Sequence, residues 1–265
     1  MSAVHRFQQR ELAPERLDRV RQILRRRRVV GIGELSSEVQ VSQATIRRDL
    51  NHLQSLGEVR RVHGGVVCIE SRLEEPLFDD KTAIRAKEKL QIAQAALEYI
   101  QPEETIYLDG GSTVLELARL LRDWSNLTVV TNSLRAVLEL AGRGPSLIFV
   151  GGELRRLSQT VVGPLTHLIL EQLFLDKAFM GTIGIAIEEG LTTTDPGEAY
   201  TKALVMRQVR QVILLADSSK FDKVSFIQAG RLADMDTLIT DRLSDRKLAR
   251  ELQKLKIEVI QTKRG

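Results

Sequence analysis

Val41 to Gly65 reads VSQATIRRDLNHLQSLGEVRRVHGG, and within it a helix start, a doubly basic helix and a basic strand pair follow one another. Ser42 suits the N-cap, where its hydroxyl accepts from an otherwise orphaned first-turn amide. Behind it Ile46, Leu50 and Leu53 share one side at helical spacing, while Ala44, Arg47, Arg48, Asn51 and His52 point away. Gly57 ends the helix, and Glu58 to His63 then alternates apolar and basic residues before Gly64-Gly65, which predicts a small strand pair with a turn. Upstream, Leu17, Val20, Ile23 and Leu24 make one helical face over Pro14 to Arg27. Ile32, Leu35 and Val39 make another on a shorter helix, with Val41-Ser42 as the tight turn that follows. The order is that of a helix-turn-helix with a wing, and a helix that turns small and guanidinium groups outward suits a DNA groove. Arg25 to Arg28, at a helix C-terminus, either meet phosphates or complement the helix dipole.

The chain has 265 residues, 43% of them hydrophobic, enough for two packed domains. Its net charge of +4 hides an asymmetry: residues 1–65 hold thirteen Arg, no Lys and seven Asp or Glu, a balance of +6, so the rest carries −2. Excess positive charge confined to the first quarter is the footprint of a polyanion read by that part alone. Cys68 is the only cysteine, which excludes an intrachain disulfide and a CxxC metal site; it reads as a small apolar strand or linker residue in a reducing compartment. His5, His52, His63 and His167 are scattered, so no metal centre and no Cys/His nucleophile pair is expected. The N-terminus lacks an apolar core of signal-peptide length, and no run of ~18 apolar residues occurs, so a cytoplasmic protein without a membrane partner is expected, its first 13 or so residues poorly ordered.

Glu70 to Pro76 is polar, charged and ended by proline, which marks a connection between domains. The expected division is a winged helix-turn-helix over 14–69, a linker over 70–80 and a second domain over 81–262. Beyond the linker an amphipathic helix is expected from Ile84 to Ile100. Seven short apolar runs then alternate with helical segments: Thr105–Leu108, Leu127–Val130, Leu147–Val150, Ala178–Met180, Val212–Ala216, Thr237–Ile239 and Glu258–Ile260. Such alternation gives an α/β domain built on a mostly parallel sheet. Ligands of such sheets sit outside the carboxyl ends of the strands. Those ends carry Asp109-Gly110-Gly111-Ser112-Thr113, Thr131-Asn132-Ser133, Gly151-Gly152 with Arg155-Arg156 following, and Asp217-Ser218-Ser219-Lys220. Glycines admit a ligand to the backbone, and hydroxyls, ammonium groups and helix N-terminal amides bind phosphate. Gly190 to Asp195, with Glu198 and Lys202 one turn apart, reads either as a loop with a surface ion pair or as further groups for ligand hydroxyls.

The TIRRDL of Thr45 to Leu50 and the HGG of His63 to Gly65 resemble the DeoR family of bacterial transcriptional regulators. The likeness continues through LDGGST, VVTNS, VGGELR, AFMGTIGI, EEGLTTTD and ADSSKF, from Phe78 to about Asp241. It implies a sensor domain similar in fold to ribose-5-phosphate isomerase, which takes a sugar phosphate or related metabolite as effector. It carries that ligand role onto Asp109, Gly110, Gly111, Ser112, Thr113, Asn132, Gly152, Asp195, Glu198, Lys202 and Lys220. Ser42, Gln43, Thr45, Arg47, Arg48, Asn51, Arg60, Arg61 and His63 are the expected contacts to double-stranded DNA. Lys81 stands where the family often has arginine. The resulting expectation is a homodimeric or homotetrameric repressor of a carbohydrate operon, with no cofactor, no metal and no catalytic residues. Two alternatives stay open: an activator, and an isomerase-like enzyme with Glu198 or Asp195 as base and Lys202 or Lys220 holding the oxyanion.

Overall fold

The computed structural model describes residues 13–26, 29–55, 59–62, 65–68 and 78–262, and the chain divides into two compact units, residues 1–74 and 75–265. In the first, α1 (Ala13–Arg26), α2 (Ile32–Val39) and α3 (Gln43–Ser55) enclose a core of Val20, Leu24, Leu35, Val39, Ile46, Leu50 and Leu53. The periodic residues expected to face inward do so. Between α2 and α3, Gln40 takes the left-handed conformation, and the Val41 carbonyl accepts from the Ser36 hydroxyl at 2.6 Å.

The wing has one strand more than the sequence predicts. β2 (Val59–Val62) and β3 (Gly65–Cys68) pair antiparallel, and β3 also pairs with β1 (Val29–Val30), giving the order β1-β3-β2. Two residues are too few to show a strand pattern. Gly65, expected in the turn, lies within β3: a Cβ there would sit 2.6 Å from the Val30 carbonyl oxygen, so the close approach of β1 needs glycine. Residues 1–12, Arg27, Arg28, Gly57, Glu58, His63, Gly64 and the expected connection over 70–77 lie outside the described residues.

The second unit is built on seven parallel strands: β4 (Thr105–Leu108), β5 (Thr128–Thr131), β6 (Ser146–Phe149), β9 (Leu175–Met180), β12 (Val209–Leu215), β14 (Thr237–Thr240) and β15 (Glu258–Gln261), in the order β15-β14-β12-β9-β4-β5-β6. These are the seven apolar runs, and the sheet is parallel throughout. Alternate residues feed two cores. Ile106, Leu108, Phe179, Ile213 and Ile239 pack with α5 (Ala86–Leu97), α6 (Ser112–Leu120) and α7 (Leu134–Leu140) on one face. Tyr107, Ala178, Met180, Leu214 and Leu238 pack with α8 (Pro164–Leu170), α9 (Pro196–Gln208) and α10 (Arg246–Lys254) on the other. A sheet buried on both faces explains why its strands read as continuous apolar runs.

Three expectations need correction. The helix expected over Ile84–Ile100 is shorter, α5 running from Ala86 to Leu97: it is preceded by a separate short helix, α4 (Phe78–Ala83), and its start is set by Arg85, which is left-handed at φ 56° and tied to Asp241 at 2.8 Å and Asp217 at 3.5 Å. The linker does not reach residue 80, because Phe78 opens α4 and is 2% exposed. Gly190–Thr193 is not a loop but β11, paired with β10 (Gly184–Ala186) and β13 (Ile227–Gly230) in a small antiparallel sheet. A further hairpin, β7 (Glu153–Arg155) with β8 (Thr160–Val162), follows β6.

The Gly65 contact makes a test of the head: Gly65→Ala should destabilise the N-terminal unit by roughly 1–3 kcal/mol, the ordinary cost of overpacking. Thermal unfolding followed by circular dichroism checks this, and an unchanged midpoint would show that β1 can yield to the methyl group.

Candidate functional site

On α3 the side chains divide as the periodicity predicts. Ile46, Leu50 and Leu53 are buried, whereas Ser42, Gln43, Arg47, Arg48 and Asn51 are exposed. The Ser42 hydroxyl accepts from the Thr45 amide at 3.2 Å and meets the Thr45 hydroxyl at 2.9 Å, so both hydroxyls work as the helix cap. Asp49, within the same TIRRDL run, turns the other way. It is buried, and both its oxygens accept from Arg16 of α1, at 2.7 and 3.0 Å. That fork fixes α3 against α1 and thereby the direction in which Arg47 and Arg48 project. Arg60 and Arg61 lie on β2, and His63 is outside the described residues.

The second site lies where the sheet order reverses. From β4, in mid-sheet, the chain runs outward through β5 and β6, then returns to β9 on β4's other side. The carboxyl ends of β4 and β9 therefore open a crevice, the position at which ligands of such sheets bind. It is lined by Asp109, Gly110, Gly111, Ser112, Thr113, Asn132, Glu198, Lys202 and Lys220. Gly110 and Gly111 serve different ends: a Cβ on Gly110 would collide with Thr160, whereas Gly111, at φ 136°, faces open space and caps α6 without a side chain. The first amides of α6 lack intrahelical acceptors, and the residues of that first turn line the crevice. Asn132 donates to the Val161 carbonyl at 3.1 Å, and its Oδ1 is buried without a hydrogen-bond partner.

The charged groups are arranged in pairs. Asp109 Oδ2 accepts from the Lys202 ammonium in direct contact and from the Gly181 amide at 2.9 Å; Lys202 also donates to the Gly181 carbonyl at 3.0 Å. Burial raises the Asp109 carboxyl above its ordinary value, with Lys202 and the Gly181 amide opposing. Glu198 is equally engaged: Oε1 accepts from Arg155 at 3.2 Å and from the Thr160 hydroxyl at 3.1 Å, and Oε2 from the Thr193 hydroxyl at 3.0 Å. Tyr107 beneath them is wholly buried, which pushes its hydroxyl well above the usual range.

Two expected residues stand elsewhere. Gly152, at φ 148°, admits Thr166 and the Val162 carbonyl where a Cβ would clash, so this glycine serves the packing of α8, whereas a side chain on Gly151 would meet open space. Asp195 caps α9, accepting from the Glu198 amide at 3.0 Å, and pairs with Arg155 at 3.3 Å. Sequence reasoning notes Lys81 of α4 only as a departure from the family's arginine and leaves it out of the ligand set, and it passes over Phe78 of α4, Ser158 and Thr160 of the hairpin, and Gly181 and Thr182 after β9, all of which line the crevice. The strand-end rule applied to β9 finds Gly181 and Thr182; no local signal marks α4 or the hairpin. Among the described residues there is no group of His, Cys, Asp or Glu able to hold a metal, and no helix long and apolar enough to cross a membrane.

Residues 84–242 match the DeoR C terminal sensor domain, and residues 16–72 match the DeoR-like helix-turn-helix domain. The HTH-type transcriptional regulator GlpR of Haloferax volcanii is 34% identical over 229 residues, 86% of this chain and 90% of that protein. The transcriptional repressor AccR of Agrobacterium fabrum is 34% identical over 86% of this chain and 89% of its own length. The lactose phosphotransferase system repressor of Streptococcus mutans is 33% identical over 88% and 94%. Ribose 5-phosphate isomerase A of Methanocaldococcus jannaschii has a TM-score of 0.40 at 19% identity, over 52% of this chain and 55% of that one.

The Asp109–Lys202 pair predicts its own dependence. Lys202→Met leaves a buried carboxylate without its cation and should cost about 3–5 kcal/mol, much of it restored by Asp109→Asn in the same chain. Urea denaturation of the three variants reads this directly, and additive losses would show that the two groups are not coupled.

Proposed function

The chain belongs to the DeoR family of transcriptional regulators, and from that premise we propose a repressor of a carbohydrate operon that leaves its operator when a phosphorylated sugar fills the crevice. The observation that carries the effector reading is the crevice at the β4/β9 switch point. Amides of α6 meet a phosphate at Gly110 to Thr113, Lys220 supplies a cation, and the unpartnered Oδ1 of Asn132 accepts from a ligand hydroxyl. On the DNA side the exposed Arg47, Arg48 and Asn51 of α3 enter the major groove, while Ser42, Thr45 and the basic wing strand meet the backbone. One head covers a half-site, so a homodimer or homotetramer on repeated sites follows, acting in the cytoplasm where the DNA is.

The rival reading as an isomerase finds both of its candidate bases and one of its two candidate cations already committed, with Lys220 the remaining one. Glu198 is held by Arg155 and two hydroxyls, Asp195 caps a helix, and Lys202 is neutralised by Asp109. A regulator also needs its ligand to persist. Incubation with the best-binding sugar phosphate, followed by NMR, should show no conversion; turnover above ~1 per second would favour the enzyme.

A thermal-shift panel of phosphorylated sugars with their non-phosphorylated counterparts tests the effector class. A ligand at 100 times its Kd should add about 2.7 kcal/mol, raising the melting temperature by roughly 5–10 °C, with no shift from the free sugars. Equal shifts from both would remove the phosphate from the reading. Arg47→Ala and Arg48→Ala should each weaken operator binding, by ~1–3 kcal/mol with relaxed specificity for a base contact and uniformly on all duplexes for a phosphate contact. A correctly folded double variant with full affinity in gel shifts would sink the assignment of α3.

A further inference from the structure

Resting on the reading of the protein as a homo-oligomer on repeated sites, we infer that two copies join through the edge strand β6 and the helix α8 beside it, as an isologous pair with one continuous sheet. β6 and β15 are the two edges of the seven-stranded sheet, and they are unlike. β15 exposes Glu258 and Gln261 at its ends, the charged and polar guard that keeps a strand from pairing further. β6 reads SLIF, without a charged residue, and exposes Ile148 at 38% and Phe149 at 41%. The Ser146 and Val150 amides donate to β5 at 2.9 Å each, so by alternation the N–H and C=O groups of Leu147 and Phe149 turn outward.

The surface beside the strand is apolar too. Ile148 shares the sheet face of Val150, which packs in one core with Leu170 of α8, and the Thr166 hydroxyl of α8 donates to the Gly151 carbonyl just past the strand at 2.7 Å. His167 turns to α9, its ring 4.2 Å from that of Tyr200 and its Nε2 3.2 Å from the Thr201 hydroxyl, and α9 itself lies against β9 and β12. At about 100° per residue, Leu165 and Ile169 therefore sit on the side of α8 away from α9, toward the β6 edge, with Leu168 outermost; all three are exposed. α8 contains no Asp, Glu, Lys or Arg, so it has no charged face to turn to water, and helices of that kind are buried.

A second copy of the chain is the occupant this surface fits. An uncharged patch offers an unlike partner nothing to read by charge, whereas a two-fold axis sets it against itself. Antiparallel pairing of β6 with β6 of the second copy has one register that uses every outward group: Leu147 stands opposite Phe149 twice, and Ile148 meets Ile148 on the axis. α8 then lies beside α8 on the same face. The start of each strand meets the end of the other, which brings Arg143, exposed and 3.4 Å from Asp123, toward the exposed Glu153 of the second copy as opposite charges at the rim. Ile148, Phe149, Leu165, Leu168 and Ile169 together expose on the order of 450 Å² of apolar surface, over half of the ~800 Å² that each partner buries in a stable interface and near the apolar share usual there.

Sedimentation velocity of the full-length protein tests this. Ile148→Glu sets two carboxylates face to face on the axis, and should halve the assembly by raising its dissociation constant about a hundredfold or more. Cross-linking gives a second reading that does not depend on that variant folding. In Cys68→Ser, which removes the only cysteine, Ile148→Cys should form a disulfide between copies under mild oxidation, because Cα atoms of such a pair stand ~4.5 Å apart, within disulfide reach. Val259→Cys, at the β15 edge, should not. An oligomeric protein whose Ile148→Glu variant keeps its size, and whose Ile148→Cys variant does not cross-link, overturns the inference and leaves the functional reading standing. An unmodified protein that is monomeric while it fills its operator overturns both, and slow hydrogen exchange at 146–149 in that monomer would assign the cover of β6 to the chain's own residues.

Discussion

The ion pair between Asp109 and Lys202 joins the three elements that make the crevice. Asp109 ends β4, Lys202 projects from α9, and both bind Gly181 at the end of β9, so the two strands that part at the switch point are tied by one carboxylate and one ammonium. Two charges taken out of water are costly unless each finds the other with good geometry and further partners. Here the Gly181 amide and carbonyl supply those partners. The consequence for function is subtractive, because the pair takes two charged groups of the crevice out of the account of ligand binding.

What remains in the crevice, among the described residues, includes donors, hydroxyls and the unpartnered oxygen of Asn132. The α6 amides, Lys81 and Lys220 offer positive potential, and Asn132 offers an unpartnered oxygen buried at the wall. Burying that oxygen unsatisfied has a cost, and a ligand hydroxyl removes it. The glycine pair shows how tightly the shape is drawn. Gly110 is needed by the hairpin packed against it, Gly111 by the turn into α6, and only the second leaves its face open. Arg155 and Thr160 of the same hairpin hold Glu198, so the hairpin wall and α9 are locked together over the crevice.

The head follows similar logic at smaller scale. Within a single hexapeptide, Arg47 and Arg48 face outward while Asp49 faces in to Arg16. One helix therefore serves both to present a basic surface and to fix its angle, and the same residues that read as a recognition motif are partly a packing motif. Gly65 repeats the lesson, since its close neighbour is the Val30 carbonyl rather than a turn.

The sequence by itself determined the helix-turn-helix order, the seven sheet strands and the strand-end residues from Asp109 to Thr113, because each depends on periodicity or on residues adjacent in the chain. Runs of apolar residues and a strand-Gly-Gly-helix join carry their own physical signature. Tertiary structure alone decided which charged groups are spent on one another: Asp109 meets Lys202 across 93 residues and Arg16 meets Asp49 across 33, distances over which no local pattern informs. It also set the start of the helix expected from Ile84 just after Arg85, whose left-handed backbone is held by carboxylates far along the chain, and separated it from the short α4 that brings Phe78 and Lys81 to the crevice. Gly152 and Asp195 left the crevice for the same reason, because a glycine pair or an acidic residue has the same local appearance whether a ligand or another helix lies against it.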